Sequence, residues 1–178
     1  MGGTHYYTSP DIYTITITGD IPKGLKFTDD KRLISVNSPF LPTTQTTSGC
    51  INLASIPADL FKNCPDVTSF ENTFSYCTSL TGPIPANLFR KNAEATTFHY
   101  TFAWCESLTD SIPANLFRNN PLAENFAITF AYCESLTGPI PADLFSDNLL
   151  ATTFNQTFSN CTGLTGTIPA GLSVIAPA

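Results

Sequence analysis

The dipeptide Ile-Pro recurs at Ile56, Ile84, Ile112, Ile140 and Ile168, each step being 28 residues. No other feature constrains the fold so tightly, because a strict period without insertions places equivalent residues in equivalent surroundings. Everything between the prolines keeps the same spacing. Leu60-Phe61 returns as Leu88-Phe89, Leu116-Phe117 and Leu144-Phe145. Phe70, Phe98, Phe126 and Phe154 form a second phenylalanine column, and Phe74, Phe102, Phe130 and Phe158 a third. Of the 14 phenylalanines only Phe27 and Phe40 lie outside these columns. Cys77, Cys105, Cys133 and Cys161 make another column, as do Leu80, Leu108, Leu136 and Leu164.

One such unit carries too few large apolar side chains to offset the entropy lost on ordering it. Successive turns must therefore stack and share apolar contacts and backbone pairing, which is the logic of a solenoid. The spacing defines full turns 56–83, 84–111, 112–139 and 140–167 and a partial turn 168–178, within a repeat region spanning 50–178. Inside a turn, Phe98, Thr101, Phe102 and Cys105 fall within an arc of about 100° on a helix. The spacing thus predicts a short helix with that arc facing the core. Leu108 to Ile112 reads as a brief strand that Pro113 ends, and Pro113 also suits the first position of a second helical turn through Arg118. The expected fold class is an α/β solenoid of four 28-residue turns, each a short strand plus short helices. Asn92, Asn120 and Asn148 share a column and are expected to satisfy backbone groups at a turn. Residues 1–49 are expected to form an N-terminal β-rich cap and loop. There Tyr13, Ile15 and Ile17 alternate with Thr14, Thr16 and Thr18, the chain turns at Gly19-Asp20, and Leu33 to Val36 resume the pattern.

Composition narrows the partner classes. Charged residues make up 12% of the chain, about half the usual share. The solvent face is therefore built from small neutral polar residues, a texture of extracellular and virion surfaces. A net charge of −6 with 8 scattered basic residues argues against nucleic acid. No apolar run approaches the roughly 20 residues that span a bilayer, so no membrane insertion is expected. Met1-Gly2-Gly3-Thr4-His5 lacks the basic and apolar regions of a signal peptide. An extracellular, cell-surface or virion location remains the expectation, through a signal outside this sequence or by another route.

The string Phe70-x-x-Thr73-Phe74-x-x-Cys77-x-x-Leu80-Thr81, repeated four times and followed by Ile-Pro, resembles the BspA-like leucine-rich repeat of surface proteins. The resemblance covers about residues 50 to 172. Leu80 to Pro85 and Leu136 to Pro141 are also similar to the plant-type leucine-rich repeat, although Cys here stands three residues before the Leu where that class keeps Asn two before it. The resemblance implies a curved solenoid used in adhesion or recognition, and implies no catalytic residues.

Candidate sites follow from the same columns. One Cys per turn gives no CxxC pair and no companion His, so no metal site is expected. The cysteine column is expected to consist of buried thiols packed beside Phe, while Cys64, standing in the asparagine column, could bridge to Cys50. Asp59 and Asp143 share a column but lie three turns apart, at least about 14 Å, too far for paired glycosidase carboxylates. No nucleophile has a base fixed beside it, so no catalytic residue, cofactor or enzyme activity is expected. The outward face of the predicted helix carries Tyr76, Trp104 and Tyr132 in one column, with Tyr100 and Ile128 one helical turn earlier in the next. Tyr76, Tyr100, Trp104, Ile128 and Tyr132 form the candidate partner-binding stripe. Aromatic rings with a polar edge are binding anchors for a protein or a glycan; the competing reading is that neighbouring turns cover them and they only cement the stack. The functional expectation is a non-enzymatic surface adhesion or recognition module. The alternative is a structural subunit of a phage particle or extracellular fibre that packs with copies of itself. Self-association is expected at the C-terminal end, since Gly171 to Ala178 carry no charge and offer only a thin lid.

Overall fold

The computed structural model describes residues 48–169. The expected β cap within 1–49, except Ser48 and Gly49, and nearly all of the partial turn 168–178 lie outside the described residues. The 28-residue period is the register of the backbone itself. Ser69 pairs with Thr97, Thr97 with Asn125 and Asn125 with Thr153, all in parallel. Two short strands, β1 (Gly138–Pro139) and β2 (Leu164–Thr165), pair in parallel at the same offset, less two residues.

The expected α/β class does not hold. Among the described residues there is no helix, and β1 and β2 are the only strands. The reason lies in where alternate N–H groups point. Phe98, Tyr100, Phe102 and Trp104 donate to the carbonyls of Asn125, Ala127, Thr129 and Ala131 in the next turn, at 2.8, 3.2, 2.8 and 2.8 Å. Thr101, Ala103 and Cys105 instead donate three residues back, to Phe98, Tyr100 and Phe102. A helix would direct every N–H along its own axis. Here half of them are directed into the neighbouring turn, and the segment becomes a run of tight turns. Phe98, Thr101, Phe102 and Cys105 are nonetheless all fully buried, as the spacing predicted. The second predicted helical turn is likewise a pair of tight turns, with Leu116 and Arg118 donating to Pro113 and Asn115. The predicted strand 108–112 contracts to a bridge at Leu108 and two bonds, from Thr109 to Gly82 and from Thr137 to Asp110.

The core is three stacked phenylalanine columns in two walls. Rings of one column lie nearly parallel at 5.4–5.9 Å in the columns starting at Phe61, Phe70 and Phe74. The Phe61 column meets the Phe70 column across the core at 4.6–5.0 Å, tilted or edge-on. On the outer side of the opposite wall, Tyr76, Trp104 and Tyr132 repeat at only 4.6 and 4.7 Å. The step between turns therefore widens across the coil, from the Tyr76 face to the Phe61 wall. The backbone ladder accounts for this, since hydrogen-bonded strands sit about 4.8 Å apart. The coil bends so that the ladder face is its inner side.

Polar side-chain columns lock the stack both within the ladder, through threonine, and beyond it, through asparagine. Thr101, Thr129 and Thr157 share their hydroxyl hydrogens between the carbonyl three residues back and one in the preceding turn, at 3.0 Å for the latter. Asn120 Nδ2 donates to Phe89 and Asn92 carbonyls at 3.1 and 2.8 Å, and Asn148 repeats this on Phe117 and Asn120. The asparagines thus satisfy backbone groups as expected, but those of the turn before.

The thiols of Cys105, Cys133 and Cys161 donate to Phe74, Phe102 and Phe130 carbonyls at 3.0, 3.0 and 2.9 Å. Cys50 and Cys64 are not bridged to one another. Burial pushes Cys105 and Cys133 well above the ordinary thiol value, and pushes Cys161 up to about 11. Native protein at pH 8 is therefore expected to react with a thiol reagent at these positions only as it unfolds. Because the folded values are raised, their contribution to stability is complete below the unfolded value near 9 and is lost as pH rises towards 11. Thiol titration with and without denaturant checks both. Rapid native labelling of Cys133 would show that the column is open.

Candidate partner-binding surface

The ladder segment sets the surface. In each turn the chain makes successive four-residue turns, for example Phe70–Thr73 and Phe74–Cys77, each closed by the fourth N–H on the first carbonyl. Their third residue has positive φ, as in a type II turn, where Gly or Asn is favoured. Those third residues are Asn72, Tyr76, Tyr100, Trp104, Ile128, Tyr132, Gln156 and Asn160, with φ between 55° and 61°. All five residues of the candidate stripe are therefore in the left-handed region. For Ile128, a β-branched residue with φ 59°, this is a strained backbone. Each such residue other than Gly and Asn costs about 1–2 kcal/mol. Gly49, which precedes Cys50 as Tyr76 precedes Cys77 in a first turn one residue short, has φ 72° at the equivalent position.

The outward direction expected of the stripe holds, although the helix that suggested it does not exist. Tyr76 is 46% exposed, while Tyr100, Trp104, Ile128 and Tyr132 are half-buried. The rings among them cover one another in part. Trp104 is stacked between Tyr76 and Tyr132, with planes 10° and 9° apart. Tyr100 lies parallel to Trp104 at 6.0 Å within the same turn, and His99 meets Tyr100 edge-on at 4.3 Å. The rings are thus laid flat, one above another along the coil, with their faces turned to one another and their edges turned outward.

Beside the rings, His99 Nδ1 lies 3.3 Å from Glu71 Oε1 of the preceding turn. This pair is partly exposed and holds the two turns in register rather than adding much stability. Glu106 and Glu134, two residues beyond Trp104 and Tyr132, are exposed. Ring contacts join four of the five stripe residues, Tyr76, Tyr100, Trp104 and Tyr132, and sequence spacing gave no sign of their flat stacking.

A second exposed apolar group was not found by spacing. Leu122, Leu149 and Leu150 are exposed, Leu149 by 88%. They follow the buried Asn120 and Asn148, at positions where earlier turns carry Pro65-Asp66 and Ala93-Glu94. That change from polar to apolar was the available signal. Among the described residues no group of three or more His, Cys, Asp or Glu side chains is placed to hold a metal ion. No described helix is long and apolar enough to cross a membrane.

Comparison of the chain with protein-family models, with curated proteins and with solved structures finds no significant match.

Proposed function

We propose that the protein is a non-enzymatic recognition module that binds a protein partner on the inner ladder face, through Tyr76, Tyr100, Trp104, Ile128 and Tyr132. The observation that carries this reading is the flat stack of part-exposed rings at 4.6–4.7 Å. Ring-on-ring contacts are worth about 1 kcal/mol each, roughly what each left-handed residue costs. Stacking alone therefore gives little reason to keep Tyr and Trp where Gly49, Asn72 and Asn160 occupy the same columns without that strain. What the rings do offer is a preorganised apolar strip edged with phenolic hydroxyls, the kind of anchor found at the centre of protein interfaces. A glycan fits less well, because sugars pack on ring faces and the faces of Trp104 are taken by its neighbours. The surface location and the likeness to BspA-type repeats belong to the same proposal.

Packing with copies of itself is the second reading, for which the exposed Leu122, Leu149 and Leu150 offer an apolar patch.

An array of surface and matrix proteins, glycans and the chain itself, probed with the wild type and with Trp104→Ser/Tyr132→Ser, tests both. Protein partners are expected, bound at least tenfold more weakly by the double variant, about 1.4 kcal/mol. The melting temperature should fall by only a few degrees. Unchanged partners with a large loss of melting temperature would make the rings packing elements. Capture of the chain alone would favour the second reading.

A further inference from the structure

We propose that the partner presents a positively charged polypeptide segment, whose arginine and lysine stems lie on the Tyr76–Trp104–Tyr132 strip while their head groups reach the carboxylates beside it. This rests on the reading of the ladder face as the recognition surface. The charge distribution supplies the argument. The ladder half of the turns, 68–83, 96–111, 124–139 and 152–167, carries Glu71, Glu106, Asp110, Glu124 and Glu134 and no lysine or arginine. Every lysine and arginine among the described residues, namely Lys62, Arg90, Lys91 and Arg118, lies on the Phe61 wall, one or two residues after its phenylalanine. Because the Phe61 column packs across the core from the Phe70 column, the two walls face opposite ways. The basic residues therefore point away from the rings. That wall also carries Asp59, Asp66, Glu94, Asp143 and Asp147, so its charges nearly balance, with Lys62 at 3.3 Å from Asp59 and Arg118 at 3.8 Å from Asp147, whereas the carboxylates of the ladder half have no Lys or Arg to offset them.

The geometry suits long basic side chains in particular. Glu106 and Glu134 stand two residues beyond Trp104 and Tyr132, within about 7 Å along the backbone. An arginine or lysine stem is apolar over roughly that length and settles on apolar surface while its charge stays in water. Ring edges offer such a floor, and the exposed carboxylates offer the counter-charge at its rim. The inner side of a bent coil lined by one sign of charge also concentrates oppositely charged partners. A neutral or acidic segment would gain the floor and lose the rim.

Trp104 is the only tryptophan of the chain, so its fluorescence reports this strip directly. The experiment titrates the whole chain with an oligo-arginine peptide, an oligo-glutamate peptide and a cello-oligosaccharide at low salt. Oligo-arginine is expected to change Trp104 emission saturably, and the other two to leave it unchanged. Glu106→Gln/Glu134→Gln should weaken that response about fivefold or more, as expected for the loss of two exposed charge contacts. Asp59→Asn/Asp143→Asn, on the opposite wall, should leave it within about twofold, and far-UV circular dichroism checks that both variants fold. Equal weakening by the two double variants would mean attraction to net charge alone and overturn the inference. So would a silent Trp104 with oligo-arginine. A response to oligo-glutamate or to the sugar in its place would overturn the charge assignment while leaving the ladder as a recognition surface. The wider reading fails separately, on an array in which Trp104→Ser/Tyr132→Ser changes nothing.

Discussion

Phe117→Ala is expected to lower the unfolding free energy by about 4–5 kcal/mol, at the upper end for a buried aromatic truncated to alanine. Phe117 is fully buried in the third of the four turns, between the second and the fourth. Its ring lies 5.9 and 5.7 Å from Phe89 and Phe145 in its own column, and 4.7 and 4.9 Å from Phe98 and Phe126 in the opposite wall. Removing it opens a void that backbone ladders on both neighbouring turns prevent from closing. The same change at Phe145, which is 9% exposed, should cost less because less of its ring is withdrawn from water. Urea titrations followed by circular dichroism and by Trp104 emission measure both. In a stack held by nearest-neighbour contacts, the central variant should also separate the two signals, since the turns before and after the void lose their coupling. A loss below about 2 kcal/mol with coincident transitions would show that the walls do not depend on continuous stacking.

Asn120→Asp is the second large effect, expected to destabilise by about 3–5 kcal/mol at pH 7, as for a buried charge left without a partner. Asn120 is fully buried, and its Nδ2 is the donor for both the Phe89 and the Asn92 carbonyls. A carboxylate there removes both bonds and sets its negative oxygens against two carbonyl oxygens. Its Oδ1 accepts nothing from the protein, so no donor waits to stabilise the charge. The pH dependence has a definite sign. Burial would raise the folded value of the new carboxyl above its unfolded value near 4. The variant should therefore approach the wild type below about pH 4, where the acid is neutral, and lose ground as pH rises through the raised value. Urea titrations of both proteins at pH 3.5 and 7 test this, and a pH-independent difference would mean that lost donors, rather than the charge, dominate.

Much of the interior was legible before any coordinates, and the columns show why. Phe98, Thr101, Phe102 and Cys105 are buried, Tyr76 to Tyr132 face outward, and the asparagine column meets backbone carbonyls. A strict repeat makes inside and outside readable, because a position kept in every turn is one whose neighbours are its own copies. The helix was misread from the same columns. Inward residues at i, i+3, i+4 and i+7 fit a helical face, and they fit equally well a run of four-residue turns with a left-handed residue every fourth position. Gly49, Asn72 and Asn160 in the ring columns were the local trace of that second geometry, since Gly and Asn tolerate positive φ.

The sequence by itself determined the period, the inward direction of the phenylalanine, threonine and cysteine columns and the matching of like with like between turns. Only the tertiary structure decided which hydrogen bonds the backbone makes, because an N–H that can close a helix can also pair with a carbonyl 27 residues on once every fourth residue takes a positive φ. Stacked phenylalanines hold the next turn close enough for that distant carbonyl to win. The same choice laid Tyr76, Trp104 and Tyr132 flat upon one another, where a helix would have splayed them apart.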